Sequence, residues 1–374
     1  MEQIILAPCQ NYGLEQVRYA LDMLLEPLGG MQHFVKPGQR VLLKPNMLAA
    51  KPADAAVTTH PSVVQAVAEL VKSVGGHVFV GDSPGIGSME KVAERSGILA
   101  AAVAAGAELI TFNKTRKVSG SGTFRQIELS QEYLDADVVI NLPKLKTHEM
   151  MTMTCGVKNL YGAVVGPAKA GLHLTAGHSK ALFAGLLLEI AQARTVALTI
   201  VDGVVAMEGD GPNSGTPRQF GWLLAGENPV AVDLVAARMI GIPTELLPVE
   251  QEAVRRDLPG AVWEDISLGG KISEFPAVAA FRLPEGLDVQ FGLPGFLSCL
   301  LRRYLTPLPE ADAAKCVLCG VCRDACPPGA ITINKNALKV DSGRCIRCWC
   351  CRELCPHHAL VVYKNPLLKL MEKI

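Results

Sequence analysis

Cys316, Cys319, Cys322 and Cys326, with Pro327 behind them, recur twenty-nine residues later as Cys345, Cys348, Cys351 and Cys355, with Pro356 behind them. Nothing else in the chain constrains its fold so tightly. Each run has the spacing C-x2-C-x2-C-x3-C-P, in which three thiolates cap one corner of a cubane and the fourth, beyond the turn, reaches the neighbouring cluster. The spacing therefore predicts two [4Fe-4S] clusters. One is expected on Cys316, Cys319, Cys322 and Cys355, the other on Cys345, Cys348, Cys351 and Cys326. Zinc sites usually spend two separated pairs of ligands, so three cysteines within seven residues, twice over, favour a cubane. Cys350 is left over, because only Cys351 keeps the intervals, and it reads as a spare thiol packed beside a cluster.

The duplication continues past the cysteines: Ala330-Ile331-Thr332-Ile333 parallels Ala359-Leu360-Val361-Val362, and Lys335-Asn336 parallels Lys364-Asn365. A small α+β ferredoxin-like dicluster domain is thus expected over residues 311–364. It occupies only a small part of a 374-residue chain that is 49% hydrophobic and 5% aromatic. That composition suits an α/β protein with a large core. Zero formal net charge argues against a general nucleic-acid binder. The start of the chain has no basic segment followed by an apolar one, and the most apolar window, 181–201, is broken by Glu189, Gln192 and Arg194. The expectation is a cytoplasmic protein with no membrane span, in a reducing compartment that spares thiolates. Between Lys315 and Lys364, eight Lys and Arg face three Asp and Glu. Two oxidised cubanes with their thiolates subtract about 4 from that excess, so the unit ends near neutral where freely shuttling ferredoxins are usually acidic, and it is expected to dock on its own larger domain or on an acidic electron donor or acceptor protein.

Strand-like runs at 4–7, 40–43, 78–81, 109–112, 138–142, 197–201 and 221–224 alternate mostly with helical patterns. The order predicts an α/β domain over 1–290 with a mostly parallel sheet covered by helices. One helix is framed by Thr59, Pro61 and Gly75-Gly76, another by Asn228-Pro229 and Gly241. A hairpin is expected over 117–129. A linker at 291–310 comprises an apolar–basic helix over 296–305 and the spacer Thr306-Pro307-Leu308-Pro309. A tail follows at 365–374.

In such sheets ligands bind beyond the carboxyl ends of strands. Lys44-Pro45-Asn46, Gly81-Asp82-Ser83-Pro84-Gly85, Pro143-Lys144-Leu145-Lys146-Thr147-His148 and Asp202-Gly203 all fall there. With Asn141-Leu142 and Gly156-Val157-Lys158-Asn159-Leu160-Tyr161-Gly162, these motifs over roughly residues 1–240 resemble the bacterial and archaeal family labelled domain of unknown function 362. Its members often carry a carboxy-terminal ferredoxin module, and the resemblance brings no catalytic roles with it.

From Asn141 to Lys180 the chain carries Lys144, Lys146, Lys158, Lys169 and Lys180 against Glu149, plus His148, His173 and His178. At a strand end such a cluster holds an anion, lysines acting as point charges and a histidine moving a proton. Lys146, His148 and Lys158 are the candidate catalytic residues, and Lys44, Asn46, Asp82 and Lys144 the candidate cofactor-binding ones. A solvated basic loop is the plain alternative. Cys155 reads as a small buried hydrophobe more than as a metal ligand or nucleophile. The loop from Glu208 to Gly215 reads as mobile, its Glu208 and Asp210 a possible acid or cation site against a simple surface loop.

The expected function is an iron–sulfur oxidoreductase of an anaerobic or facultatively anaerobic prokaryote, its two clusters passing electrons to an anionic substrate or cofactor on the α/β domain. A further small-molecule cofactor is open. The alternatives are a non-catalytic electron-transfer adaptor docking a redox partner, and a metal or cofactor maturation protein.

Overall fold

Strands with no polar face to offer water must be covered on both sides, and this chain has several. In the computed structural model, β1 (Glu2–Pro8), β2 (Arg40–Pro45), β3 (His77–Asp82), β4 (Glu108–Thr111), β7 (Val138–Leu142), β8 (Lys144–His148), β9 (Thr152–Thr154), β10 (Leu198–Glu208), β11 (Thr216–Gly226) and β12 (Ile266–Gly269) form one sheet. The structure describes residues 1–166, 168–270, 275–276, 278–285, 307–335 and 337–363. The helix read over 296–305 and the tail over 365–374 lie outside the described residues.

The long path through the sheet runs β12 (Ile266–Gly269), β1, β11 (Thr216–Gly226), β10 (Leu198–Glu208), β7, β2, β3, β4. All neighbours on it are parallel except those of β11, which runs antiparallel to both β1 and β10. β2 lies between β3 and β7. The chain therefore winds outward from β2 in one direction through β3 and β4, and resumes on its other side at β7. That reversal opens a crevice at the carboxyl ends of β2 and β7, where a ligand site is expected. The anticipated hairpin is β5 (Thr115–Ser119) paired with β6 (Gln126–Ser130).

Helices cover both faces. Pro61–Ser73 buries Val63, Val64, Val67 and Val71 against β2 and β3, and Lys180–Gln192 buries Phe183, Leu186, Leu187 and Ile190 on the opposite side. The first of these is capped by His60, whose Nδ1 accepts from Ser62 N–H at 3.2 Å. Thr59, expected to frame that helix, is used elsewhere: its hydroxyl accepts from Asn46 N–H (2.8 Å) and donates to Leu142 O (2.6 Å), tying β2 to β7 at the crevice. Pro229–Met239 starts at Asn228 and is followed by Gly241 at φ +71°, as its sequence frame predicts.

Two features depart from the sequence reading. Lys144–His148, expected as a loop, is a fully buried strand, β8, which continues the line of β7 past Pro143 and pairs with β10 on one side and β9 (Thr152–Thr154) on the other. Asp202-Gly203, expected at a strand end, lies in the middle of β10, which runs on to Glu208 and turns back as β11.

The dicluster unit comprises β13 (Leu308–Ala311) paired with β16 (Leu360–Tyr363), β14 (Ile331–Ile333) paired with β15 (Leu338–Val340), and two four-residue helices, Val321–Asp324 and Cys350–Glu353. Leu308 and Pro309, read as spacer, are already part of its first strand.

Candidate functional site

The eight cysteines of the duplicated runs assemble as two groups of four. One cavity is lined by Cys316, Cys319, Cys322 and Cys355, the other by Cys326, Cys345, Cys348 and Cys351. Ala330 N–H donates to Cys326 Sγ at 3.2 Å and Ala359 N–H to Cys355 Sγ at 3.3 Å, equivalent bonds in the two repeats of the kind that stabilises thiolate. Among the described residues no three His, Cys, Asp or Glu side chains converge on a point that suits one metal ion. Four thiols around each void, at the spacing of the duplicated runs, fit a cubane.

The repeats are embedded differently. Cys319 is exposed and Cys316 half-buried, whereas Cys345, Cys348 and Cys351 are all buried. Gly320, at φ +87°, has as its counterpart Trp349 at φ +61°, whose ring is buried in the core of the large domain. Arg323 pairs with its neighbour Asp324, but its counterpart Arg352 crosses to the large domain and meets Glu149 and, at 2.7 Å, Asp210. Asn213 Nδ2 donates to Glu353 O (2.8 Å), and His358 bridges Ser214 Oγ (2.5 Å) and Lys51 Nζ (3.3 Å). The loop read as mobile is therefore the turn of the β10–β11 hairpin and holds the dicluster unit. Its acids are committed: Glu208 to Arg218 and Arg282, Asp210 to Arg352.

On β8, side chains alternate in direction. Leu145 points into the core, and Lys144, Lys146 and His148 share the other face. Each lysine has a different fate. Lys144 donates to Asp202 (2.9 Å) and to Tyr12 Oη (2.6 Å), which in turn donates to Asp202 at 2.7 Å. Lys44 donates to Asp82 at 2.7 Å, and the other oxygen of Asp82 accepts from Met47 N–H. Both are neutralised pairs, and neither lysine lines a cavity among those described.

Lys146 is fully buried and reaches only neutral acceptors, Asn46 Oδ1 at 3.1 Å and Val57 O at 2.8 Å. Lys169 donates to Ser83 O, Ser83 Oγ and Pro84 O, and Lys158 lies 5.9 Å from the centre of the Tyr161 ring. Burial lowers all three from the ordinary lysine value, Lys146 to about 7 and Lys169 to about 8.

These three lysines line one cavity of about 480 Å³, within the range of small-molecule sites. Its floor is the crevice at the strand ends, with Asn46, Asp82, Ser83 and Asn159; its opposite wall is the dicluster unit, with Ala325, Cys350, Glu353 and Leu354. Since Lys44 balances Asp82 and Arg323 balances Asp324, the lining carries three lysines against Glu353, a net of +2 when all are charged.

The motifs explain themselves as the frame of this cavity. Asn159 Nδ2 donates to Lys44 O (3.1 Å) and Asn141 Oδ1 (2.8 Å), its Oδ1 accepts from Asn46 Nδ2 (3.1 Å), and Asn141 Nδ2 reaches Gly156 O (2.9 Å). A Cβ on Gly162 would sit 2.0 Å from Asp82 Oδ1 and 2.5 Å from Lys44 Nζ. Gly162→Ala is therefore expected to lower the unfolding free energy by at least ~1–3 kcal/mol, measured by denaturant titration; an unchanged midpoint would show that the Lys44–Asp82 pair is not held in place by this contact.

His148 is buried behind the cavity. Its Nδ1 accepts from Met150 and Met151 N–H (3.1 and 3.2 Å), which leaves the proton on Nε2. That Nε2 has no hydrogen-bond partner and lies 3.9 Å from Glu353 Oε2. Burial and the nearby Lys158 hold His148 well below the ordinary imidazole range. His173, with burial pushing it down to about 3, stacks on Phe183 and lines the cavity. Cys155 is buried against Asp233, outside the cavity, and burial raises its thiol well above the usual value.

Sequence reasoning passed over Glu353, Lys169 as a cavity residue, and Tyr12. The first two lie far apart in the chain and show no shared local pattern. Cys350, read as spare, lines the cavity.

Comparison with known proteins places residues 41–238 in the family described as "Domain of unknown function (DUF362)" and residues 308–356 in "4Fe-4S dicluster domain". The "Thylakoid-associated protein sll1697" of Synechocystis sp. (strain ATCC 27184 / PCC 6803 / Kazusa) is 40% identical over 314 residues, which cover 81% of this chain and 95% of that protein. Among solved structures, the lactate racemase apoprotein from Thermoanaerobacterium thermosaccharolyticum is similar over 60% of this chain, at 12% identity and a TM-score of 0.40. This chain spans about half of that protein, 54% of its length. Among the described residues no helix is long and apolar enough to cross a membrane.

Proposed function

The chain belongs to the DUF362 family and ends in a 4Fe-4S dicluster domain, and from that premise we propose that it is an iron–sulfur oxidoreductase acting on a small dianion. The observation that carries the reading is the cavity, whose one wall is the dicluster unit and whose other walls hold three lysines with no carboxylate in salt-bridge distance among the described residues. Buried cations left unpaired are costly unless a ligand pairs them.

In this reading Cys316, Cys319, Cys322 and Cys355 hold one cubane and Cys326, Cys345, Cys348 and Cys351 the other. When bound, the clusters supply or accept electrons one at a time. Lys158 and Lys169 hold the anion as point charges, and Asn46 orients it. Lys146 pairs with a second anionic group and is the proton donor, since its lowered value of about 7 lets it release a proton near neutrality. The donor role expected for His148 passes to Lys146, because a neutral imidazole behind the wall is a poor acid. Lys44 and Lys144 act through the frame, each fixing a strand end by its ion pair.

Because the protonated lysines bind the anion, affinity should be highest below pH 7 and fall as Lys146 and then Lys169 lose their protons, at about 7 and about 8. Sulfate and oxalate keep their charge over that range and serve as probes. Calorimetric titration of the anaerobically purified protein is expected to show affinity dropping roughly tenfold or more between pH 7 and 9, with proton uptake on binding. No binding, or a flat profile, would favour the electron-transfer adaptor, and native mass spectrometry showing two cubanes with no adduct would agree with it. The relative's thylakoid association suits a protein that exchanges electrons beside a membrane.

A further inference from the structure

The lysine cavity is larger than the charge in it requires. Its volume of about 480 Å³ equals on the order of fifteen waters at ~30 Å³ each, and an ion of oxalate's size displaces only a few of them. The lining also divides. Lys146, Lys158 and Lys169 share it with Asn46, Asn159 and Ser83, whereas Leu48, Ala170, Pro212, Ala325 and Leu354 offer no polar side chain. The two parts adjoin at one loop. Lys169 donates to Pro84 O at 3.3 Å, and at the next residue, Gly85, a Cβ would lie 2.9 Å from Leu48 Cδ1 and 3.7 Å from Leu354 Cδ2. A leucine of the large domain and one of the dicluster unit thus come together beside the charged part. A third part of the lining is aromatic. Tyr161 and His173 meet edge to face with ring centres 5.8 Å apart, and both pack on Phe183. His173 Nδ1 is buried and has no hydrogen-bond partner among the described residues, which is costly unless something in the cavity meets it.

We propose that the ligand of this cavity is an aromatic dianion, a rigid ring system with its acidic groups along one edge. The acidic edge lies on the three lysines, and the ring fills the part lined by Leu48, Ala170 and Leu354 with Tyr161 and His173 beside it. This rests on the anion reading proposed above and enlarges the ligand. The walls favour a ring over an alkyl chain. Tyr161 and His173 already pack edge to face, and another ring joining them gains beyond the area it buries. A rigid body also loses no internal rotations on entry, whereas each ordered bond of a chain is a cost. The lysines supply charge complementarity at one end, and the apolar side chains supply the affinity that a bare dianion has no means to collect. His173 Nδ1 is placed to meet a polar substituent on the ring.

Calorimetric titration of the anaerobically purified, cluster-loaded protein at pH 7 tests it with three probes whose two carboxylates lie close together. Oxalate has no body, hexylmalonate has a flexible chain, and naphthalene-2,3-dicarboxylate has a rigid ring. The naphthalene probe should bind roughly tenfold or more tighter than oxalate, tighter than hexylmalonate, and with the most negative heat-capacity change of the three. Ala170→Phe, which fills apolar space and leaves the lysines in place, should bring the naphthalene and oxalate affinities together. Oxalate binding with no gain for the naphthalene probe overturns this proposal and leaves the anion reading standing. Hexylmalonate binding as tightly as the naphthalene probe overturns the aromatic ring, and a gain that Ala170→Phe leaves intact overturns its placement. Failure of all three probes to bind removes both readings together.

Discussion

Lys146→Met is expected to make the protein more stable and to weaken anion binding by more than an order of magnitude. The wild-type ammonium is fully buried with only neutral partners. Lowering its pKa from 10.5 to about 7 corresponds to ~5 kcal/mol of folding free energy spent whenever it is charged. Methionine fills the same space without that cost. Stranding Val57 O gives back ~1–3 kcal/mol, so a net gain of ~2 kcal/mol or more is expected near pH 7. The sign of the pH dependence follows from the direction of the shift. The unfolded chain holds more protons than the native one between the two values, so wild-type stability rises with pH there. The penalty is complete below about 7 and vanishes towards 10.5, and the gap between variant and wild type should close over that window. Binding moves the other way. Removing one desolvated cation from a charge pair costs ~2–5 kcal/mol, a loss of roughly thirty- to several-thousand-fold for oxalate. A variant that bound oxalate as tightly as wild type would dissociate Lys146 from any ligand site.

Arg352→Leu is expected to be the most damaging single change outside the cluster cysteines. Arg352 and Glu149 are both buried, and Asp210 closes the triad at 2.7 Å. Breaking such a group from one side leaves carboxylates without a counter-charge and costs ~3–5 kcal/mol. The loss should fall on the seam: the dicluster unit should part from the hairpin turn at a lower denaturant concentration than the sheet unfolds, followed by Trp349 fluorescence. Adding Glu149→Gln and Asp210→Asn should restore most of the loss, because the stranded charge is then gone. If the triple variant is no better than the single one, the cost lies in the bond from Arg352 Nε to Leu360 O, inside the dicluster unit.

What the sequence discloses is uneven for physical reasons. β2, β3 and β7 are legible because apolar runs ending in Lys-Pro-Asn, Gly-Asp-Ser-Pro-Gly and Asn-Leu-Pro-Lys leave no other reading than buried strands with polar ends. The cysteine spacing is legible because cluster geometry admits few intervals. β8 is not. Lys144, Lys146 and His148 alternate with Leu145 and Thr147 at the period of a strand, but lysine is depleted in strands and here both faces are buried, one of them charged. Tertiary partners decide it: Asp202 takes one lysine and the cavity takes the other. The same holds for Asp202-Gly203, which has the chemistry of a turn yet stays extended because Tyr12, Lys144 and His60 N–H satisfy Asp202 where it lies. The basic character of the site is visible between Asn141 and Lys180, but its division into structural pairs and open charges is not, since the deciding partners Asp82, Asp202 and Glu353 come from distant segments.

Trp349 sits where its twin repeat has glycine, in a left-handed conformation that costs an ordinary residue ~1–2 kcal/mol and is repaid by its ring in the neighbouring core. The chain has thereby given up the independence of a gene-borne cassette. Each four-cysteine cavity also borrows one cysteine from the other repeat, so a swap of either half for a foreign one would have to carry both halves and the host surface that receives Trp349.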